Sequence, residues 1–210
     1  NSAGAENFAP SGVPVWNSPA IDEKRGQLYV TTGDNYSAPG SSMSDAIVAL
    51  DLKSGAVKWA YQARTNDTWN GSCEEADTAN CPEDRGPDFD FGVGAVLAPG
   101  NDGRDYVLAG QKSGEAYAIN PDDGTLAWKR KVGRGGVVGG IHFGIAATGG
   151  KVFIPVSDVP DGRPYDMAPQ PGLYALDIKT GEFDWRAPSV DVCHGRTFCH
   201  PGYGGAITAT

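Results

Sequence analysis

A small set of acidic and amide side chains, one lysine and four cysteines carry most of the chemistry this sequence offers. Asp34 and Asn35 follow Tyr29-Val30-Thr31-Thr32-Gly33, so two oxygen-bearing side chains stand where a strand breaks. Calcium takes six to eight oxygen ligands, and carboxylate or amide oxygens at a strand end can supply some of them. A plain turn capped by the Asx side chain is the competing reading. Asp88 and Asp90 flank Phe89, and the alternation of an extended chain puts both carboxylates on one face. Asp67, in Asn66-Asp67-Thr68-Trp69-Asn70, is a third acid, and Lys112 stands in a Gly110-Gln111-Lys112-Ser113-Gly114 turn.

The cysteines fall into two local pairs, Cys73 with Cys81 and Cys193 with Cys199, in Gly/Pro/polar surroundings. Even, local pairing points to disulfides and an oxidising compartment. Cys193, His194, Cys199 and His200 also offer a zinc set, although their spacing matches no usual finger. No Cys-x-x-Cys-His is present to attach haem. His142 is a lone histidine that could line a cavity or serve the core. Gly133-Arg134-Gly135-Gly136 invites a phosphate-loop reading, which the absence of Gly-x-Gly-x-x-Gly spacing and of a following helical pattern rejects.

These residues need a scaffold, and the composition supplies one. The 210 residues include 30 Gly, 15 Pro and ample aromatic side chains (5 Trp, 8 Tyr, 7 Phe), enough for a packed core. A net charge of −9 repels phosphate backbones and anionic headgroups, which argues against nucleic-acid or polybasic membrane binding. No apolar run approaches the roughly 18 residues of a membrane span. The start, Asn1-Ser2-Ala3-Gly4, reads as a cut or processed end.

A repeat organises the chain. Residues 48–59, 117–128 and 174–185 each carry Asp or Asn, then Gly four residues on, then Trp four residues further: Asp51, Gly55, Trp59; Asn120, Gly124, Trp128; Asp177, Gly181, Trp185. Each reads as strand, tight turn, strand, with an Asx cap, a glycine at positive φ and a tryptophan too large for one hairpin to bury. Stacked four-stranded units with the indoles docked between neighbours satisfy all three requirements, which gives an all-β propeller. Gln27–Thr31, Asp105–Ala109 and Lys151–Val156 read as further strands, and no helix of 10 residues is expected. The periods exceed those of an ordinary blade, so insertion loops are expected at about 65–87 and 158–171.

The ordered segments Tyr29–Ser37, Asn66–Asn70, Gly86-Pro87-Asp88-Phe89-Asp90-Phe91-Gly92 and Gly110–Gly114, together with the tryptophan repeats, resemble the PQQ-dependent quinoprotein dehydrogenases, and most closely their polyvinyl-alcohol dehydrogenase branch. That resemblance implies an eight-bladed propeller, of which 1–210 would be a fragment with three to four blades, ending inside a strand at Ala206–Thr210. It implies PQQ and Ca²⁺ as cofactors, an alcohol or polyol substrate, a cytochrome c-type electron acceptor and a periplasmic or secreted location, and it leaves room for a haem c domain on a segment outside this sequence. It makes Trp16 the floor for the quinone ring, Asp34 and Asn35 the cofactor and metal residues, Lys112 the cation beside the quinone and Asp90 the catalytic base. Asp88 and Asp67 are the alternatives to Asp90. Where the family has a metal-binding Asn after Thr-Gly, this chain has Asp34 followed by Asn35, and the family's calcium Glu would lie upstream of Asn1. Tyr36, Trp69 and Phe89 are expected to rim a broad mouth. The competing class is a non-catalytic scaffold propeller similar to an outer-membrane assembly lipoprotein.

Overall fold

The computed structural model describes residues 11–209; Asn1–Gly4 lie outside them. In chain order the strands are β1 (Ser11–Gly12), β2 (Ala20–Asp22), β3 (Gln27–Thr31), β4 (Asn35–Ser37), β5 (Ala46–Asp51), β6 (Val57–Gln62) and β7 (Val96–Pro99). They continue as β8 (Asp105–Gly110), β9 (Glu115–Ile119), β10 (Leu126–Lys131), β11 (Ala146–Thr148), β12 (Lys151–Val156), β13 (Gly172–Asp177) and β14 (Phe183–Pro188). Three antiparallel four-stranded meanders result, β2-β3-β5-β6, β7-β8-β9-β10 and β11-β12-β13-β14, while β4 leaves the first to pair with β1. Their leading strands β2, β7 and β11 lie side by side, as in consecutive propeller blades. Among the described residues the only helical element is one 3₁₀ turn, Gly71–Glu74.

The repeat explains the seams between sheets. In each hairpin the tryptophan sits across from an alanine, Trp59 from Ala49, Trp128 from Ala118 and Trp185 from Ala175, with a bulge beside the pair. The small partner leaves the indole free to lean outward onto the next sheet. Trp59 Nε1 donates to the Pro121 carbonyl at 3.0 Å, and Trp128 Nε1 to that of Ile178 at 2.7 Å. The repeat glycines are therefore needed twice. Gly124 and Gly181 have φ of 76° and 68°, and a Cβ on either would stand 2.8 or 2.6 Å from the docked indole of the preceding sheet. Trp185 meets Phe153 at 6.0 Å between ring centroids and stays 37% exposed.

Between the first two sheets the core contains Tyr29, Ile47, Val107, Tyr117 and Ile119, and between the second and third Leu108, Ala118, Val152, Ile154 and Leu176. Alternation along β8 sends Val107 to one seam and Leu108 to the other, so each inner blade is apolar on both faces.

Two expectations are corrected. The Asp88–Asp90 stretch is not the regular extended chain whose alternation was expected: Asp88 has φ of 62°, and the next strand, β7, begins only at Val96. Residues 206–209 lie in no strand, and Thr210 is outside the described residues. The two local disulfides are formed as expected, Cys73 with Cys81 and Cys193 with Cys199, which excludes the alternative zinc set. The Gly133–Gly140 segment is a loop leading to β11, and Asp158 fixes it by accepting from the backbone N–H of Arg134, Gly135 and Gly140.

The segments 65–87 and 158–171 touch. Arg163 of the second donates to the Pro87 carbonyl at 2.6 Å and to Glu74 Oε1 at 2.9 Å, tying it to the first.

Candidate active site

The end of β3, the Asp88–Asp90 segment and the turn after β8 converge on one acidic pocket. Carboxylate oxygens of Asp34, Asp88 and Asp90 lie within 4.8 Å of one another, and all three residues are buried. Lys112 stands among them, its Nζ donating to Asp88 Oδ1 at 2.9 Å and to Asp90 Oδ2 at 2.8 Å. The other Asp90 oxygen accepts the backbone N–H of Asp34 at 2.6 Å, and the Lys112 N–H bonds the Asp90 carbonyl at 3.0 Å. Asp90 is thereby fixed in two directions. Gly33 is required here, because a Cβ would stand 2.6 Å from Asp90 Oδ1.

Asp67 braces the pocket from behind. Its two oxygens accept the backbone N–H groups of Asp88 and Phe89 at 3.0 and 2.9 Å, which fixes the left-handed turn at Asp88. A non-glycine residue in that region costs on the order of 1–3 kcal/mol, so the brace is part of what places Asp88. Both oxygens of Asp67 are thus engaged, and its side chain is fully buried.

Asn35 does not join the cluster. Its Oδ1 accepts the Ser41 N–H at 2.9 Å and its Nδ2 reaches the Asp67 carbonyl at 3.3 Å, so it organises the neighbouring loop. Trp16 stands at the mouth, 41% exposed, with Lys112 Nζ 5.7 Å from its ring centroid and the His142 ring, at right angles to it, 6.0 Å away between centroids. Gly92 makes the room: a Cβ there would stand 2.9 Å from Trp16 Cη2. Phe89 lies under Arg64, and Tyr36 is exposed at the rim. Trp69 is half-buried, its N–H bonded to the Asn35 carbonyl at 2.8 Å.

So much negative charge in so little solvent shifts protonation. Burial, then the charges of Asp90 and Asp88, push the Asp34 carboxyl up to about 10. Burial raises Asp88 to about 7, Lys112 opposing it and Asp90 adding to it. Burial works against the Lys112 ammonium, yet the Asp90 and Asp88 charges outweigh it and hold Lys112 above the ordinary lysine value. Burial and the Lys112 charge lower His142 to about 4, so its ring is neutral at physiological pH.

Asp34 Oδ2 and Asp88 Oδ2 are buried with no hydrogen-bond partner. Orphaned carboxylate oxygens of this kind are costly unless a cation meets them, and their hard-oxygen character suits calcium. The open face of Trp16 suits a flat aromatic ring. The residues present therefore fit both groups that the resemblance implies.

Asp45 was not singled out in the sequence. It is fully buried at φ 49°, both its oxygens lack a hydrogen-bond partner, and burial followed by the Asp67 and Asp90 charges lifts it to about 9. A lone Asp before an apolar strand reads as a turn cap, so no local signal marks it.

Residues 1–82 match the family model described as glucose/ethanol/alcohol dehydrogenase, beta-propeller domain, and residues 78–191 match the model described as outer membrane protein assembly factor BamB. The chain is 40% identical over its whole length to a polyvinylalcohol dehydrogenase of Pseudomonas sp, and 38% identical over 99% of its length to one of Sphingopyxis sp. (strain 113P3). It spans about a third of those relatives, 32% of each. In fold it is similar to the quinohemoprotein alcohol dehydrogenase of Comamonas testosteroni, with a TM-score of 0.64 at 18% identity over 86% of this chain and 35% of that one. The chain is thus an all-β run of propeller blades, similar over its whole length to polyvinylalcohol dehydrogenases and matching propeller family models over residues 1–82 and 78–191.

Proposed function

We propose that the whole protein is a PQQ- and calcium-dependent dehydrogenase of secondary or polymeric alcohols, and that this chain carries one side of its active site. The observation behind the reading is the gathering of Asp34, Asp88 and Asp90 around Lys112 beside an open tryptophan face. Bound PQQ supplies a hydride acceptor and bound calcium a Lewis acid.

The chain's own residues divide the remaining work. Asp34 and Asp88 offer their free oxygens to the cation, and Trp16 offers its ring face to the cofactor. Asp90 is the base. Its carboxylate is oriented by the Asp34 N–H and the Lys112 ammonium, and a carboxylate so held keeps lone pairs for the proton of a substrate hydroxyl. Lys112 stabilises negative charge developing next to it. An external cytochrome c-type acceptor would take the electrons onward, and the two disulfides support a periplasmic or secreted setting.

A scaffold propeller is the second reading, favoured by the BamB-type match over residues 78–191. Such a scaffold has no use for three desolvated carboxylates around a lysine. The test is reconstitution of the full-length protein with PQQ and Ca²⁺, followed by dye-linked oxidation of alcohols. Failure to bind PQQ would sink the dehydrogenase reading. Turnover that survives Asp90→Asn but not Asp88→Asn would transfer the base to Asp88.

A further inference from the structure

A cleft of about 890 Å³ opens beside the carboxylate pocket. Two extended segments form its floor, and both lead away from the site. β4 begins one residue after Asp34, and at about 3.4 Å per residue Ser37 stands roughly 10 Å further out. Alongside it runs the segment from Asp67 to Asn70, joined by a parallel bridge between Asn35 and Thr68. Asn70 holds the far side in place: its Nδ2 donates to the carbonyls of Tyr36 and Asn80 at 3.1 and 3.0 Å, and its Oδ1 accepts from the Ser72 N–H and Oγ. The Cys73–Cys81 disulfide closes the loop that makes this wall.

The lining is rich in groups that both donate and accept. Ser11, Tyr36, Ser37, Thr68 and Ser72 line it with hydroxyls, of which those of Ser11 and Ser37 bond each other at 2.8 Å and that of Ser72 bonds Asn70. Among the described residues no lysine or arginine lines the cleft, and Glu83 and Asp84 repel anions. A neutral ligand with its own hydroxyls matches both halves of that inventory. Two extended segments running side by side match a linear one.

We propose that this cleft is a binding subsite for the hydroxyl groups of a linear polyol that neighbour the carbinol reacting at Asp90. The proposal rests on the dehydrogenase reading and adds a position and a length preference to it. Gly71 provides the probe. It lines the cleft, and a Cβ built on it meets no atom within 4 Å, so a large side chain enters open space without disturbing the fold.

The experiment uses full-length protein loaded with PQQ and Ca²⁺, and reads the ratio of kcat/KM for polyvinyl alcohol to kcat/KM for 2-butanol. Gly71→Trp should lower that ratio about tenfold or more, the equivalent of two or so lost hydrogen bonds, and Gly71→Ala should leave it within about twofold. An unchanged ratio in Gly71→Trp overturns the subsite. If wild-type protein oxidises no alcohol, the dehydrogenase reading fails separately, and saturation-transfer NMR with polyvinyl-alcohol oligomers judges the cleft alone. Oligomer contact present in wild type and lost in Gly71→Trp supports the subsite; contact absent from wild type, or retained in the variant, overturns it.

Discussion

The seams between sheets and the acidic pocket are built on opposite plans. At the seams one solution is used repeatedly: an indole laid over a glycine turn, with an alanine behind it and one hydrogen bond to a carbonyl. In the pocket nothing repeats, and residues 34, 88, 90 and 112 reach one another only because the sheets are already stacked. At the seam the buried carboxylate of Asp22 is paired with Arg25, whereas the pocket gathers several carboxylates around one lysine. Stability is thus concentrated in the periodic part, which lets the aperiodic part carry unfavourable electrostatics.

That contrast breaks most sharply at Asp90. In the full-length, cofactor-loaded protein Asp90→Asn should lower turnover by about 10²–10⁴-fold while PQQ stays bound, as judged by its absorbance. The thermal midpoint should hardly move. Next come the seam glycines. Gly124→Ala forces a Cβ onto Trp59 at positive φ and should cost about 3 kcal/mol, measured by urea denaturation. Gly55→Ala has a similar φ of 73° and no atom near its Cβ, so it should cost only the backbone penalty of about 1–2 kcal/mol. Equal costs at the two positions would show that docking contributes nothing beyond turn geometry.

The tryptophans sharpen the same point. Trp128→Ala, from a half-buried and hydrogen-bonded site, should destabilise this chain by about 2–3 kcal/mol, and Trp185→Ala by less than about 1 kcal/mol. The smallest effect concerns pH. Arg25 joins the first sheet to the second by bonding Asp22, Asp105 and Asp122. Burial alone would raise the Asp22 carboxyl, but hydrogen bonds from Arg25 and Tyr29 bring it below its ordinary value. A carboxylate lowered in the folded state lends stability above its unfolded pKa of about 3.9 and loses it as pH falls through the folded value. Stability measured between pH 5 and pH 2 should therefore drop, and Arg25→Gln should flatten that drop.

The seam was legible in the sequence because each of its parts answers a local demand. Asp51, Asn120 and Asp177 cap their own turns, and the glycines satisfy a backbone angle, so twelve residues suffice to show each unit. The limits of β3 and β12 follow directly from their β-branched and aromatic runs. The pocket was legible in its membership but not in its wiring. Asp34 and Asn35 were both expected to face the metal, yet neighbours in an extended chain face opposite ways, and Asn35 turns to Ser41 and Asp67. Asp67 looked like a candidate base because sequence shows a carboxylate without showing that two backbone N–H groups from residues 88 and 89 already occupy it. Asp45 and the Arg163 tie between the loops carry no local pattern at all.

The indole-on-glycine stitch also has a direction. The middle sheet receives Trp59 on its turn and gives Trp128 forward, so the interface is head-to-tail and never self-complementary. A run of such units has two unlike ends, here the open turn at Gly55 and the exposed ring of Trp185. A mirror-like pairing of two such runs can satisfy neither end. Only a rotation that brings giver round to receiver leaves no stitch undone, which makes closure into a ring a matter of polarity as much as of curvature.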